Sequence, residues 1–248
     1  MSGAAELRTL GHPHLHLRRT ESTNDRAREL AIAGAPHGTL VTACEQTAGR
    51  GRQGRRWSAP PRSSLLMSLL LRSPPPLLPL LAAVAVCDVA GERARIKWPN
   101  DIVVDDAGLA KLGGILTEGR PQEDWAVLGI GLNVAVRLEQ LPAALRPGAS
   151  ADDRAGGLPA ATLGLPEEEL EPMLARLLAA LERRLAQPAG ATLSAWRTLD
   201  ALRGREITWV GGRGRAAGID GAGRLIVALE DGGRTTLAAG EVHLQALA

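Results

Sequence analysis

Lysine occurs only twice in a chain with 27 arginines, at Lys97 and Lys111, and asparagine three times, at Asn24, Asn100 and Asn133. Where arginine has taken nearly every generic positive charge, a surviving lysine is a candidate for work that needs a compact ammonium rather than a wide planar fork. Both lysines and one asparagine fall in one short stretch, Lys97-Trp98-Pro99-Asn100-Asp101 followed by Lys111-Leu112-Gly113-Gly114. Pro99 pushes Trp98 into extended backbone and ends a strand there, so Asn100 and Asp101 sit on a fixed turn. A hairpin returns Lys111 to the same neighbourhood, and the glycine pair lets something bulky lie against the backbone.

A second concentration of chemistry runs from Gly49 to Arg62, with five arginines (Arg50, Arg52, Arg55, Arg56, Arg62) and no acid. Its glycines expose backbone N–H groups, and guanidinium forks match oxygen-rich anions such as phosphate. Trp57 offers a flat apolar surface on which a nucleobase can stack. Standing alone, such a loop reads equally well as a solvated basic segment. In Gly129-Ile130-Gly131-Leu132-Asn133 the alternate glycines leave one face of a strand bare, which suits a ligand-facing wall.

Several chemistries are excluded. There is no GxxxxGK[ST] loop and no GxSxG elbow. His14 and His16 can share a strand face with metal-binding spacing, but two histidines near a terminus read as inert. Cys44 and Cys87 match no metal or redox spacing, so a reduced, cytoplasmic chain is the expectation. The inventory of cations, amides and glycines lacks a nucleophile. It suits a reaction whose substrates bring their own, while the protein neutralises charge and positions groups.

The elements that must hold these residues can be read along the chain. Strands are expected at His14–Arg18, Thr39–Glu45, Ile96–Val104 broken at Pro99, Gly113–Glu118 and Trp125–Gly131, and a strand or buried segment at Ser64–Leu71. A helix is expected from Ser22, with Ser22 and Asp25 spaced as a capping box, to about Gly34. Others follow at Leu77–Ala90, from Pro166 to Arg184, and around Thr192–Ala201. Residues 138–166, rich in Pro, Ala and Gly, read as a surface excursion. From Glu206 onward, short β-runs between glycine turns read as a small antiparallel barrel. The expected fold is therefore α+β, with domains at 1–201 and 202–248.

The 248 residues suffice for a core without metal or disulfide staples, and 45% apolar with 23% charged residues excludes general disorder. A net charge of +2 argues against a surface that coats polyanions, and the absence of Phe and Tyr argues against base-stacking platforms. The longest apolar run, Leu77–Cys87, contains a proline and is too short to cross a bilayer. No signal peptide is visible at the N-terminus.

In Ser22-Thr23-Asn24, Gln46 followed by GRGRQGRRW, KWPND at Lys97–Asp101, KLGGIL from Lys111 and GIGLN at Gly129–Asn133, the chain resembles the biotin protein ligases. The motifs stand in that family's order at compatible spacing, and the tail, with Trp196 and Gly240-Glu241, resembles its C-terminal barrel. The resemblance implies a mixed, mainly antiparallel sheet like that of class II aminoacyl-tRNA synthetases, and a two-step acyl transfer. Biotin's carboxylate attacks the α-phosphate of ATP with Mg²⁺ assistance, and a lysine of a biotin carboxyl carrier protein then attacks the biotinyl-adenylate and releases AMP. The metal is expected to ride mainly on the ATP phosphates.

The resemblance also distributes roles. Ser22, Thr23, Asn24 and Gln46 are expected at biotin's ureido head, with Gly113, Gly129 and Gly131 giving its rings and valeryl chain room. Arg50, Gly51 and Arg52 are expected to close over the adenylate, with Arg55 nearby. Lys111 is expected at the carboxylate and α-phosphate oxygens, with Arg52 also catalytic, and Asp101 is expected to help catalysis by orienting the phosphate, the metal or the incoming lysine. Trp57 and Asn133 are expected to bound the adenine, and Lys97 and Asn100 to contact the nucleotide. Leu66 replaces an aromatic common in the family, and its packing is left open. About a dozen residues precede the first strand, too few for a winged DNA-binding domain, so no repressor activity is expected. No nucleic acid or membrane partner is expected either, and a homodimer is left open. Lipoate ligases share the fold, but GRGRxGR with KWPND argues for biotin. The arginine loop, with five like charges on a glycine-rich segment, is expected to be mobile until an anion arrives.

Overall fold

The structure is a computed structural model that describes residues 10–106, 108–147, 157–238, 240 and 242–244. Seven strands form the main sheet: β1 (His14–Leu17), β2 (Leu40–Ala43), β3 (Ser64–Arg72), β4 (Arg95–Lys97), β5 (Asp101–Asp105), β6 (Leu109–Arg120) and β7 (Trp125–Asn133). They lie in the order β1-β2-β3-β7-β6-β5-β4, parallel between β1 and β2 and antiparallel elsewhere. β3 and β7 pair over their full lengths, from Ser64 opposite Asn133 to Arg72 opposite Trp125. This long central ladder is the rigid floor of the molecule.

Helix α1 (Thr23–Ile32) packs its Ala27 and Ala31 face on one side of the sheet, against Val41, Leu70 and Val127. The capping box does not form. Ser22 makes no side-chain cap bond, and the Thr23 N–H is taken instead by Gln46 Oε1 at 2.7 Å. At the other end Arg72 donates to the carbonyls of Ala31 and Ala35, closing the helix C-terminus.

The opposite side carries α2 (Leu78–Ala90) and α3 (Leu170–Leu185). α2 is apolar all round because it is buried all round. α3 is amphipathic, burying Met173, Leu174, Leu177, Ala180 and Leu181 at helical spacing. Arg184 grips Asp88 through both carboxylate oxygens, at 2.7 and 2.8 Å, and clamps α3 to the end of α2. The hydrogen bond to Asp88 holds the guanidinium pKa up.

After α4 (Ala189–Thr198) come β8 (Glu206–Trp209), β9 (Gly212–Ile219), β10 (Leu225–Ala228), β11 (Arg234–Leu237) and β12 (His243–Leu244). They form an antiparallel sheet in the order β11-β10-β9-β8-β12. The end strands do not pair with each other among the described residues, so no closed barrel is seen among them. Glu241, part of the tail motif, lies outside the described residues. The small sheet shares the main core through Ile207, Ala216, Ile219, Leu225 and Val227, and the buried Trp98 indole donates to the Gly223 carbonyl at 3.1 Å.

Residues 138–166 are more than a surface excursion. Lys111 N–H donates to Pro159 O (2.7 Å), Ala161 N–H to Lys111 O (2.8 Å) and Leu163 N–H to Asn133 O (3.0 Å). These bonds tie described parts of this segment to the ends of β6 and β7. Residues 148–156 lie outside the described set.

Candidate active site

The β3–β7–β6–β5 ladders fix which side chains share a face. Ser68 lies opposite Gly129, Gly129 opposite Leu116, Gly131 opposite Gly114 and Gly114 opposite Asp101. Directly paired residues point the same way, so these positions form one patch on the α1 side. Over it lies a cavity of about 250 Å³, lined by Ser22, Thr23, Asn24 and Gln46, by Arg50, Gly51, Arg52, Arg55, Arg56 and Trp57, and by Asn100, Asp101, Lys111, Gly129, Gly131 and Asn133. Five separate sequence motifs thus converge on one space.

Lys111 reaches this face through an irregularity. Between Ile102 and Val103 the register shifts, so that Gly113 faces Ile102, Lys111 faces Val103 and Leu112 has no partner. Three residues apart on a regular strand, Lys111 and Gly114 would point to opposite faces; the extra residue brings them to the same one. Lys111 Nζ then lies 2.6 Å from Asp101 Oδ1 and 5.8 Å from the centre of the Trp57 ring. Leu112 is turned wholly into the core. The lysine is three-quarters enclosed and Asp101 nearly buried, so solvent screens this pair less than a surface pair.

Asn100 is fixed by its own hydrogen bonds, its side-chain amide donating to Ile115 O at 2.8 Å while Ile115 N–H donates to Asn100 O at 3.0 Å. Arg52 Nη1 stands 3.5 Å from Asn100 Oδ1, which brings the arginine loop to the lysine side of the cavity.

A second, buried polar group forms around α1. Gln46 Oε1 accepts from the backbone N–H of Thr23 (2.7 Å) and from its hydroxyl (3.0 Å). Ser68 Oγ donates to Asn24 Oδ1 (2.6 Å) and lies 2.8 Å from Thr23 Oγ1. Asn24 Nδ2 donates to Glu118 Oε2 at 2.7 Å. Polar groups this deep are costly unless paired, and here pairing fixes their orientation. Ser64 Oγ donates to Asn133 Oδ1 (3.0 Å), and Asn133 Nδ2 donates to Ala161 O (2.9 Å).

The arginine loop is a hydrogen-bonded hairpin rather than a loose coil. Trp57 N–H donates to Gly49 O, Gly51 N–H to Arg55 O, and Gln53 takes the left-handed conformation at its tip. Arg50 pairs with Asp25 at 3.0 Å and with Glu118 at 3.7 Å, and Arg56 donates to Thr47 O at 3.2 Å. These partners separate the like charges. Trp57 lies flat on Gly131, where a Cβ would come within 2.6–3.0 Å of the indole. Its indole N–H is buried without a hydrogen-bond partner among the described residues.

Two expected residues do not line the cavity. Gly113 points to the core side, where a Cβ would meet Gly131 O at 2.8 Å and Leu132 Cδ1 at 3.3 Å; the register makes Gly114 the cavity glycine. Lys97 is buried opposite Asp101 in the β4–β5 ladder, on the end strand of the sheet and one strand further out than the residues that line the cavity. The bare faces of Gly129 and Gly131 are filled from within the protein, by Asn24 Oδ1 and by Trp57 respectively. Leu66, paired with Gly131, is buried and needs no aromatic ring. Sequence reasoning missed Met67, Gly114, Leu141, Leu145, Leu158 and Ala160 as cavity residues. Of these only Gly114 carried a signal, the second glycine of a pair already singled out.

Across the sheet, Thr42 Oγ1 lies 2.8 Å from both His14 Nε2 and His16 Nδ1, and burial holds the His14 pKa down. No group of three His, Cys, Asp or Glu side chains placed to hold a metal occurs among the described residues.

Comparison with known proteins follows the same two-part layout. Residues 16–134 match the Biotin/lipoate A/B protein ligase family, and residues 203–244 the Biotin protein ligase C terminal domain. The bifunctional ligase/repressor BirA of Bacillus spizizenii is 43% identical over 148 residues, covering 55% of this chain but only 45% of that protein, less than half its length. The biotin–[acetyl-CoA-carboxylase] ligase of Mycobacterium tuberculosis is 34% identical over 259 residues, covering 91% of this chain and 87% of its own. Among solved structures, biotin protein ligase from Aquifex aeolicus in complex with biotin and ATP superposes with a TM-score of 0.74 at 23% identity, over 94% of this chain and 99% of that one. This last likeness is one of fold.

Proposed function

Because this chain belongs to the biotin protein ligase family, we propose that it joins biotin to a lysine of a biotin carboxyl carrier protein, as in acetyl-CoA carboxylase, through biotinyl-5′-AMP. The observation that carries this reading is one cavity lined both by the paired amides and hydroxyls of Thr23, Asn24 and Gln46 and by the cations Lys111, Arg50, Arg52 and Arg55. A neutral ureido head and an anionic phosphoanhydride need those two surroundings side by side.

In this proposal Gln46, its oxygen committed to Thr23, turns its NH₂ toward the ureido carbonyl, and Ser22 and Asn24 complete the polar end. For the valeryl carboxylate to attack the α-phosphate, two anions must approach each other. Lys111 supplies a positive charge where the new bond forms, and Arg52 stabilises the pentavalent phosphorus oxygens. Asp101 holds Lys111 in place through their 2.6 Å ion pair. Arg50, Gly51 and Arg55 cover the adenylate and exclude water from the mixed anhydride. The orphaned Trp57 N–H and the Asn133 side border the purine, with Asn100 fixing Arg52. Pyrophosphate leaves; the carrier lysine's amine then attacks the acyl carbon, AMP departs, and the amine's proton passes to solvent or to a phosphate oxygen.

The donor set does not favour a metal cage made by the protein alone. The cavity carboxylate, Asp101, is already paired with Lys111, and no cluster of three ligands occurs among the described residues. Mg²⁺ therefore belongs with the ATP phosphates. Residues 1–201 would carry the substrates and 202–248 would brace the KWPND turn from behind, as the Trp98–Gly223 bond does. No helix among the described residues is long and apolar enough to cross a membrane.

The test is incorporation. Purified protein with ATP, Mg²⁺ and biotin should add one biotin to the acceptor lysine of a carrier domain, seen as a single mass increment. Modification with lipoate in place of biotin would keep the fold and overturn the substrate.

A further inference from the structure

Glu118 carries no motif and does not line the cavity, yet both of its carboxylate oxygens are used. It stands on β6 opposite Val127, with its side chain in the groove beneath the arginine hairpin. Oε2 accepts from Asn24 Nδ2 at 2.7 Å, and Oε1 lies 3.7 Å from Arg50 Nη1. Asn24 sits so closely on Gly129 that a Cβ there would come within 2.1 Å of its Oδ1. Its amide is therefore held on three sides, by Ser68, by the glycine floor and by Glu118. Arg50 is held between Glu118 and Asp25, the residue next to Asn24.

We propose that Glu118 is a positioning residue that links the polar end of the cavity to the arginine hairpin: one oxygen fixes the Asn24 amide and the other draws Arg50 over the cavity. The inference rests on the ligase reading above. The two tasks need different chemistry. Asn24 requires only an acceptor oxygen, which a glutamine also has, whereas Arg50 requires negative charge. An ion pair this exposed contributes little to global stability, so its effect belongs to the hairpin.

The experiment compares wild type, Glu118→Gln and Glu118→Ala as full chains. It measures trypsin cleavage between Gly49 and Trp57, KM for biotin and for ATP in biotin-dependent pyrophosphate release, and the melting temperature. Glu118→Gln is expected to speed cleavage and raise the ATP KM by about fivefold, the population change of one exposed ion pair, with the biotin KM unchanged. Glu118→Ala is expected to raise the biotin KM as well. Equal cleavage of wild type and Glu118→Gln would overturn the proposal. So would identical kinetics for the two variants, or losses that only track melting temperature. If wild type releases no pyrophosphate with biotin, the ligase reading fails, while the cleavage comparison still decides whether Glu118 holds the hairpin.

Discussion

Lys111 Nζ and Asp101 Oδ1 stand 2.6 Å apart because β6 carries one residue more than β5 at Leu112. The bulge, not the strand, aims the lysine. If Lys111 neutralises charge at the forming mixed anhydride, Lys111→Ala should slow adenylate formation by about 10²–10³-fold, the usual cost of one preorganised donor. Lys111→Arg should not restore it, because the planar fork cannot take a point charge's place against Asp101 and Trp57. Single-turnover adenylate formation checks both. Asp101→Asn should cost less than Lys111→Ala, since the ammonium remains.

Two of the cavity glycines, Gly131 and Gly114, should respond differently to the same added methyl. At Gly131 a Cβ would strike Trp57 at 2.6 Å, whereas at Gly114 its nearest contacts, Lys111 Cε and Trp57 Cζ3, are both 3.4 Å away. Overpacking of the first kind costs about 1–3 kcal/mol, or roughly 5- to 150-fold in binding. Gly131→Ala should therefore weaken ATP, measured by titration calorimetry, while Gly114→Ala stays near wild type.

Much of this site was legible in the sequence, and the parts that were not share causes. The arginine loop, the lysine pair and the glycine wall announce themselves by residue type, and β3, α2, β7 and α3 by apolar pattern and length. Gly114 was mistaken for Gly113 because a bulge reverses strand parity without leaving a trace in composition. Leu158 and Ala160 were missed because a segment anchored by backbone hydrogen bonds needs no periodicity. The Ser22–Asp25 capping box does not form although its spacing is right, and a distant glutamine, Gln46, binds the Thr23 N–H, a group such a box does not use. Tertiary partners decided each of these positions.

Burial raises the pKa of Asp200, against the opposing hydrogen bond from the Leu202 N–H. A carboxyl whose folded pKa lies above its unfolded value binds its proton more tightly when folded. Its contribution to stability is therefore greatest below the unfolded value and is lost as pH rises through the folded one. Wild type should gain stability relative to Asp200→Asn as pH falls from 7 toward 4, measured by urea unfolding at each pH.

The two thiols should separate cleanly. Burial pushes Cys87 up to about 12, whereas Cys44 is half-buried with its sulfur 3.4 Å from His16 Nε2. Since the thiolate is the nucleophile, iodoacetamide at neutral pH should alkylate Cys44 and spare Cys87 until the chain is unfolded. Peptide mass mapping before and after denaturant checks this.

The most direct test of the central claim is pyrophosphate release from ATP and Mg²⁺, with biotin or lipoate as the acid, in wild type and Lys111→Ala. The cavity as read here predicts release with biotin and not with lipoate, collapsing in the variant. Release that ignores biotin, or that survives loss of Lys111, would contradict it.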